Sequence, residues 1–220
     1  MSRLHVDSVI KSFGGKQILK DIYIACETGK ITGLLGRNGT GKSTLLKIIS
    51  GTVKGDSQYI RSDHKVLINQ MDRKRRIAYL PQHFFLPKGV KIKNLIPLFC
   101  NQENAEKLFE LELMKPLLNE ACRNLSGGEK KIAEALLILY SDSEFILLDE
   151  PFNGFSPKTT AEMQRIIKEQ SKHKGIIISD HRYHEVLDIS DEVYLLSDTH
   201  LKRIKDFKEL QQHNYLPKSI

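Results

Sequence analysis

A chain of 220 residues accommodates one domain with a well-buried core, and two independent domains would be cramped in it. With 40% hydrophobic and 28% charged residues, 14 glycines and 7 prolines, its composition excludes collagen-like and disordered classes. The net charge of +7 permits a polyanionic partner, whether nucleic acid, an anionic membrane face or nucleotide phosphates, and does not choose among them. No apolar run approaches the ~18–20 residues that span a bilayer. The first residues lack an apolar stretch of signal-peptide length, so a cytosolic address is expected. Cys26, Cys100 and Cys122 are an odd set without C-x-x-C spacing; neither a disulfide scaffold nor a zinc module follows, and buried, reduced thiols are expected.

In chain order, strand-length apolar segments are predicted at 3–10, 22–26, 31–35, 77–80, 145–148, 176–178 and 193–196. Several are Ile, Leu and Val runs without alternation, the pattern of strands covered on both faces. Helical spacing predicts helices at 43–50, closed by Gly51 as a left-handed cap, at 104–114, at 132–139, and at 159–172 through Met163, Ile166 and Ile167. The alternation of strand and helix predicts an α/β layer around a largely parallel sheet. The first thirty residues and 57–69 predict an antiparallel β piece beside it. Between them and the later strands, 86–124 carries Pro87, Pro97 and Pro116 and no convincing strand, and reads as a helical insert. The basic run from Arg73 to Arg76 reads as a solvated rim, and 206–220 is too short for an appended domain. The expected organisation is a single domain over 1–220, with a core of about 1–85 and 125–220 and a helical subdomain of about 86–124.

The chemistry starts at Gly36, Arg37, Asn38, Gly39, Thr40, Gly41, Lys42, Ser43 and Thr44, which match G-x-x-x-x-G-K-S/T between a strand and a helix. Glycines there let consecutive N–H groups point at phosphate oxygens, Lys42 adds a full charge toward the β and γ phosphates, and Ser43 offers a hydroxyl to Mg²⁺. The apolar strand before Asp149 and Glu150 ends in two carboxylates, whose burial is costly without a cation. Asp149 is therefore expected on the metal side, with Glu150 polarising the attacking water. Ser126, Gly127, Gly128 and Glu129 precede an apolar helix and form a second N-terminus able to meet an anion; taken alone, they are an ordinary cap.

The phosphate loop, the L-S-G-G-E segment, the L-L-D-E-P strand and His181 occur in the order of the ATP-binding cassette (ABC) ATPases, which the chain resembles over nearly its whole length. Gln82, in A-Y-L-P-Q, resembles that family's Q-loop, and Phe13, in K-S-F-G, resembles its adenine-stacking aromatic, with core packing as the alternative. The resemblance implies a P-loop NTPase core, ATP and Mg²⁺ as cofactors, Ser43, Gln82 and Asp149 around the metal, and Glu150, His181 and Gln82 in hydrolysis. It implies a homodimer or cassette heterodimer in which Ser126–Glu129 of one subunit meets the γ-phosphate held by the other. It also implies a transmembrane permease subunit, a peripheral place on the cytoplasmic face of the membrane, and no direct nucleic-acid partner. A non-transport ABC ATPase acting on nucleic acid or the ribosome is the alternative; such relatives carry two cassettes or a long coiled coil, and neither is present.

Two departures stand out against the family pattern. Ser156 occupies the place of the usual aspartate, and Glu129 that of a common glutamine. The segment from His83 to Pro87 is expected either to dock a membrane subunit or to anchor the insert. Within the family, Pro151, Phe152, Ser126–Glu129 and the pair Asp180 and His181 are similar to the lipopolysaccharide-export ATPases.

Overall fold

The computed structural model describes residues 1–206, 209 and 210. Most of the short C-terminal segment, at 207–208 and 211–220, lies outside the described residues. Strands β1 (Arg3–Phe13), β2 (Lys16–Glu27), β4 (Ser57–Ser62) and β5 (Lys65–Val66) form an antiparallel sheet in the order β2-β1-β4-β5. Strands β3 (Ile31–Leu35), β6 (Ile77–Leu80), β7 (Phe145–Asp149), β8 (Gly175–Ser179), β9 (Glu192–Ser197) and β10 (His200–Ile204) form the main sheet in the order β10-β9-β3-β8-β7-β6. Its pairs are parallel except β10 with β9.

The uninterrupted apolar runs follow from the layering. Phe145 and Leu147 of β7 face one core with Leu34, Ile177 and the inner side of the antiparallel sheet. Ile146 and Leu148 face the other with Ile176 and Ile178. Helix α1 (Lys42–Ser50) packs into the first core through Leu45, Leu46, Ile48 and Ile49. Helices α5 (Gly127–Leu139) and α6 (Pro157–Ser171) cover the second. A strand with both faces covered has no reason to alternate.

Between β6 and α5 the chain forms α3 (Ile92–Phe99), α4 (Gln102–Glu110) and two short 3₁₀ turns, with α2 (Gln70–Lys74) preceding β6 and α7 (Tyr183–Leu187) following β8. Helix α3 was not expected, because Pro97 lies inside it. An interior proline costs ~3 kcal/mol, whereas burying Ile92, Leu95 and Ile96 returns ~1.5–3 kcal/mol each. Helix α4 starts and ends earlier than its apolar spacing predicts, because Asn101 caps it by accepting a bond from the Asn104 N–H at 3.0 Å.

The basic run departs from a solvated rim. Arg73 is buried and donates to the Ile48 carbonyl at 2.6 Å, closing the end of α1, while Arg76 pairs with Glu144 at 2.8 Å. All three cysteines are free and buried, and burial pushes the Cys26 thiol up to about 12.

Lys174 plays a similar capping part. It is buried, and its ammonium donates to the carbonyls of Leu139 and Ser141 where α5 ends. Burial pushes its pKa down from 10.5 to about 8. Between those values the unfolded chain holds a proton that the folded chain has lost, so this group makes stability rise with pH across that window. Replacing it with methionine, Lys174→Met, removes the titration. Urea unfolding should show the wild type gaining on this variant by on the order of 2 kcal/mol as pH rises through the window; a pH-independent gap would contradict the assignment.

Candidate active site

Strand β3 delivers the chain into the phosphate loop, and two backbone positions there admit only glycine. Gly36 has φ 155°, and a Cβ on it would lie 2.6 Å from the Leu196 carbonyl oxygen. Gly41 has φ 109°, and a Cβ there would lie 2.7 Å from Ile18 Cγ2. The loop is thereby pressed onto β9 and the β1–β2 hairpin, and α1 starts immediately after it. Arg37, Asn38 and Gly39 are exposed at its tip, and the Thr40 hydroxyl donates to the Arg37 carbonyl at 2.8 Å. The Lys42 ammonium lies inside the loop, donating to the carbonyls of Gly36 at 2.6 Å and Arg37 at 3.1 Å. Burial pushes its pKa down, while the carboxylates of Glu150, Asp149 and Asp180 pull it back up.

Opposite the loop stand the C-terminal ends of β6, β7 and β8. Asp149 is 1% exposed; its Oδ1 accepts from the Ser43 hydroxyl at 3.0 Å and its Oδ2 from the Tyr79 hydroxyl at 2.9 Å. Burial pushes its carboxyl above the usual carboxylate range, against the pull of both hydroxyls. Burial, with Asp149 beside it, also pushes the Tyr79 phenol up. At Glu150 the backbone turns to φ 53°, a left-handed conformation that costs a residue with a Cβ ~1–2 kcal/mol. Its N–H donates to the Ser179 carbonyl at 2.7 Å, which holds the turn. The turn carries the Glu150 side chain into the cleft, where Oε2 accepts from Gln82 Nε2 at 2.8 Å and lies 3.9 Å from His181 Nδ1.

Asp180 is wholly buried and accepts from the N–H groups of Phe152 and Arg182, both at 3.0 Å, with His181 Nδ1 at 3.2 Å from its Oδ1. It thus ties the loop after β7 to the histidine.

One cleft of about 590 Å³ brings several of these groups together, without Gly36, Arg37, Thr40, Tyr79 or Asp180 in its lining. Lys42, Ser43 and Thr44 form its floor with Asn38, Gly39 and Gly41, and Gln82, Glu150 and His181 also line it. Phe13 and Ile18 line it as well, from β1 and β2. Phe13 ends β1 just before the turn at Gly14 and Gly15 and is 51% exposed, which excludes core packing; Lys11 Nζ lies 5.1 Å from its ring centre. Asp149 sits behind Ser43.

Ser126, Gly127, Gly128 and Glu129 do not line this cleft. They open α5 as a reciprocal cap, the Ser126 N–H donating to Glu129 Oε2 at 2.8 Å and the Glu129 N–H to Ser126 Oγ at 3.3 Å. The Ser126 bonds hold the Glu129 carboxyl below its usual range. Ser156 caps α6 by accepting from the Thr159 N–H at 3.2 Å, a task that serine and aspartate both perform. The aromatics after Gln82 divide: Phe85 packs against Phe99 of α3 with tilted rings whose centres are 6.2 Å apart, and Phe84 is 55% exposed.

Tyr79, Lys131 and Glu134 were not singled out from the sequence, where Asp180 entered only through its pair with His181. Tyr79 meets Asp149 only because β6 and β7 are neighbours.

A phosphate loop facing the carboxylate ends of parallel strands defines a P-loop nucleotide-binding protein. The ABC transporter family model matches residues 19–153, and the chain belongs to that family, as one of its ATP-binding ATPase subunits. It is 32% identical over 199 residues to a probable ABC transporter ATP-binding protein of Azorhizobium caulinodans, covering 84% of this chain and 71% of the relative. It is 30% identical over 215 residues to the lipopolysaccharide export system ATP-binding protein LptB of Escherichia coli strain K12, covering 91% and 89% of the two chains. A solved structure of the ATP-binding subunit of an ABC transporter superposes with TM-score 0.85 at 21% identity, over 98% of this chain and 95% of the other, and so shares its fold.

Proposed function

We propose that the chain binds ATP with Mg²⁺ in this cleft, hydrolyses it as one half of a head-to-tail pair of cassettes, and powers a separate membrane-spanning subunit. One observation carries the reading. The phosphate loop, Gln82, Glu150 and His181 share a cleft, while the exposed helix N-terminus at Ser126 lies outside it. A second copy would supply its own Ser126–Glu129 to the first, completing both sites. No helix among the described residues is long and apolar enough to cross a membrane, so the membrane-spanning part belongs to a partner in this reading. The similarity to LptB, named for lipopolysaccharide export, favours an export system.

The donor set fits a hard divalent cation. The Ser43 hydroxyl and the buried Asp149 carboxylate lie 3.0 Å apart, and Mg²⁺ needs only one or two carboxylates beside substrate phosphates. Ser43, Asp149 and Gln82 would hold it, and when bound it would neutralise charge building on the phosphate oxygens. The protein's own groups do the rest. The N–H groups of Gly39 and Gly41 and the Lys42 ammonium hold the β and γ phosphates, and Phe13 stacks on the adenine. Glu150 accepts the proton of the water that attacks the γ-phosphorus, its carboxylate placed by the turn at φ 53° and by Gln82. His181, fixed by Asp180, donates to the γ-phosphate as it leaves ADP.

The experiment is a charge placed on the outer helix N-terminus. Ser126→Arg should bind a fluorescent ATP analogue within about twofold of wild type, because no residue of the same-chain cleft has changed. Phosphate release should fall at least ~10-fold, because an interaction made only in the assembled site is lost. Loss of binding by the separate chain would place Ser126 in its own cleft and overturn the head-to-tail reading.

A further inference from the structure

Two ionisable side chains of α5 are buried without taking part in the cleft. Lys131 is 3% exposed and Glu134 is 1% exposed, and they lie three residues apart on one face of the helix. Burying such groups costs several kcal/mol unless they are bonded, and an alanine or leucine there would avoid the cost. Their hydrogen-bond partners are the backbone of one loop. Lys131 Nζ donates to the carbonyls of Pro81 at 2.9 Å and Gln82 at 3.3 Å. Glu134 Oε1 accepts from the N–H groups of Phe85 at 2.7 Å and Leu86 at 3.1 Å. The cation holds the loop by its acceptors on one side and the carboxylate by its donors on the other, with His83 and Phe84 between. Glu134 Oε2, also buried, has no hydrogen-bond partner among the described residues, so the carboxylate is committed to the loop through a single oxygen.

We propose that Lys131 and Glu134 are positioning residues that clamp the 81–86 loop onto the helix headed by Ser126, and through it hold Gln82 against Glu150. Because α5 carries both the clamp and the segment proposed to face the second subunit, a displacement at Ser126 is passed to Gln82 through four hydrogen bonds rather than through solvent-exposed side chains. This rests on the proposed part of Gln82 in hydrolysis.

The test is a kinetic cycle on the full chain, with amide exchange as a second readout. Glu134→Ala leaves the Phe85 and Leu86 N–H groups without their acceptor. It should lower kcat about 10-fold, since small misplacements of a reacting group have effects of this size, and leave the KM for ATP within about twofold. Glu134→Gln, which keeps an acceptor oxygen, should restore most of the rate and the exchange protection of Phe85 and Leu86. In a Gln82→Ala background, Glu134→Ala should add less than about twofold, because residues acting through one another are non-additive. An equal fall in both backgrounds, or an unchanged kcat in Glu134→Ala, overturns the clamp. Should Glu134→Ala not fold, Lys131→Met is read in the same cycle, and failure of both to fold makes the pair a stability element and overturns the proposal. An inactive wild type fails the ATPase reading and the clamp with it, whereas an active wild type indifferent to Glu134→Ala fails the clamp alone.

Discussion

Glu150→Gln should bind ATP within about twofold of the wild type and hydrolyse it at least ~100-fold more slowly, the usual scale for removing a general base. The amide keeps the length of the side chain and an oxygen for Gln82 Nε2, now at 2.8 Å from Oε2, so the geometry of the wall is retained. What disappears is the negative charge and the proton acceptor. The left-handed turn at φ 53° makes the position informative, because a strained backbone with its N–H tied to the Ser179 carbonyl has no evident use in packing. Phosphate release under single-turnover conditions reads the effect. A variant as fast as wild type would remove Glu150 from the chemistry and leave Asp149, Gln82 or His181 to activate the water.

Lys42→Ala should reduce affinity and hydrolysis together. A hydrogen bond to a charged partner contributes ~1.5–3 kcal/mol, which corresponds to roughly 10–100-fold in Kd. Lys42 is 7% exposed and its ammonium sits among the loop carbonyls of Gly36 and Arg37, so no neighbouring lysine replaces it from solvent. The substitution also deletes those two bonds, and a thermal melt separates a loosened loop from an unfolded chain. Titration of a fluorescent ATP analogue gives the affinity. Undiminished binding in a folded variant would mean that nucleotide phosphates are held elsewhere.

The phosphate loop was legible because its chemistry is contiguous, with nine successive residues running from the end of one strand into the first turn of one helix. Asp149 and Glu150 were legible because a run of apolar residues rarely ends in paired acids without a task for them. Features created by the neighbourhood of distant segments were not legible. Nothing in the sequence marks Lys131 and Glu134, whose partners are backbone groups of the 81–86 loop about fifty residues away. Arg73 was hidden in the same way, since a basic run gives no sign that one member reaches the end of α1.

Strand β10 escaped notice for a local reason. Its hairpin turn is made by Asp198 and Thr199, with φ 49° and 67°, where asparagine or glycine would have flagged the reversal. Helix α3 was obscured by Pro97, whose local cost outweighs propensity in the sequence and is itself outweighed by burial in the fold.

Pairing through ATP is the part of the account from which most of the rest follows, and the slow variant gives the most direct view of it. Sedimentation of Glu150→Gln in Mg-ATP and in Mg-ADP compares two nucleotides that differ only by the phosphate meant to bridge the subunits. The account predicts a dimer in Mg-ATP that retains two nucleotides and a monomer in Mg-ADP, with the dimer abolished by adding Ser126→Arg. A chain that binds ATP to saturation, hydrolyses it slowly and sediments as a monomer in both nucleotides would contradict the head-to-tail site.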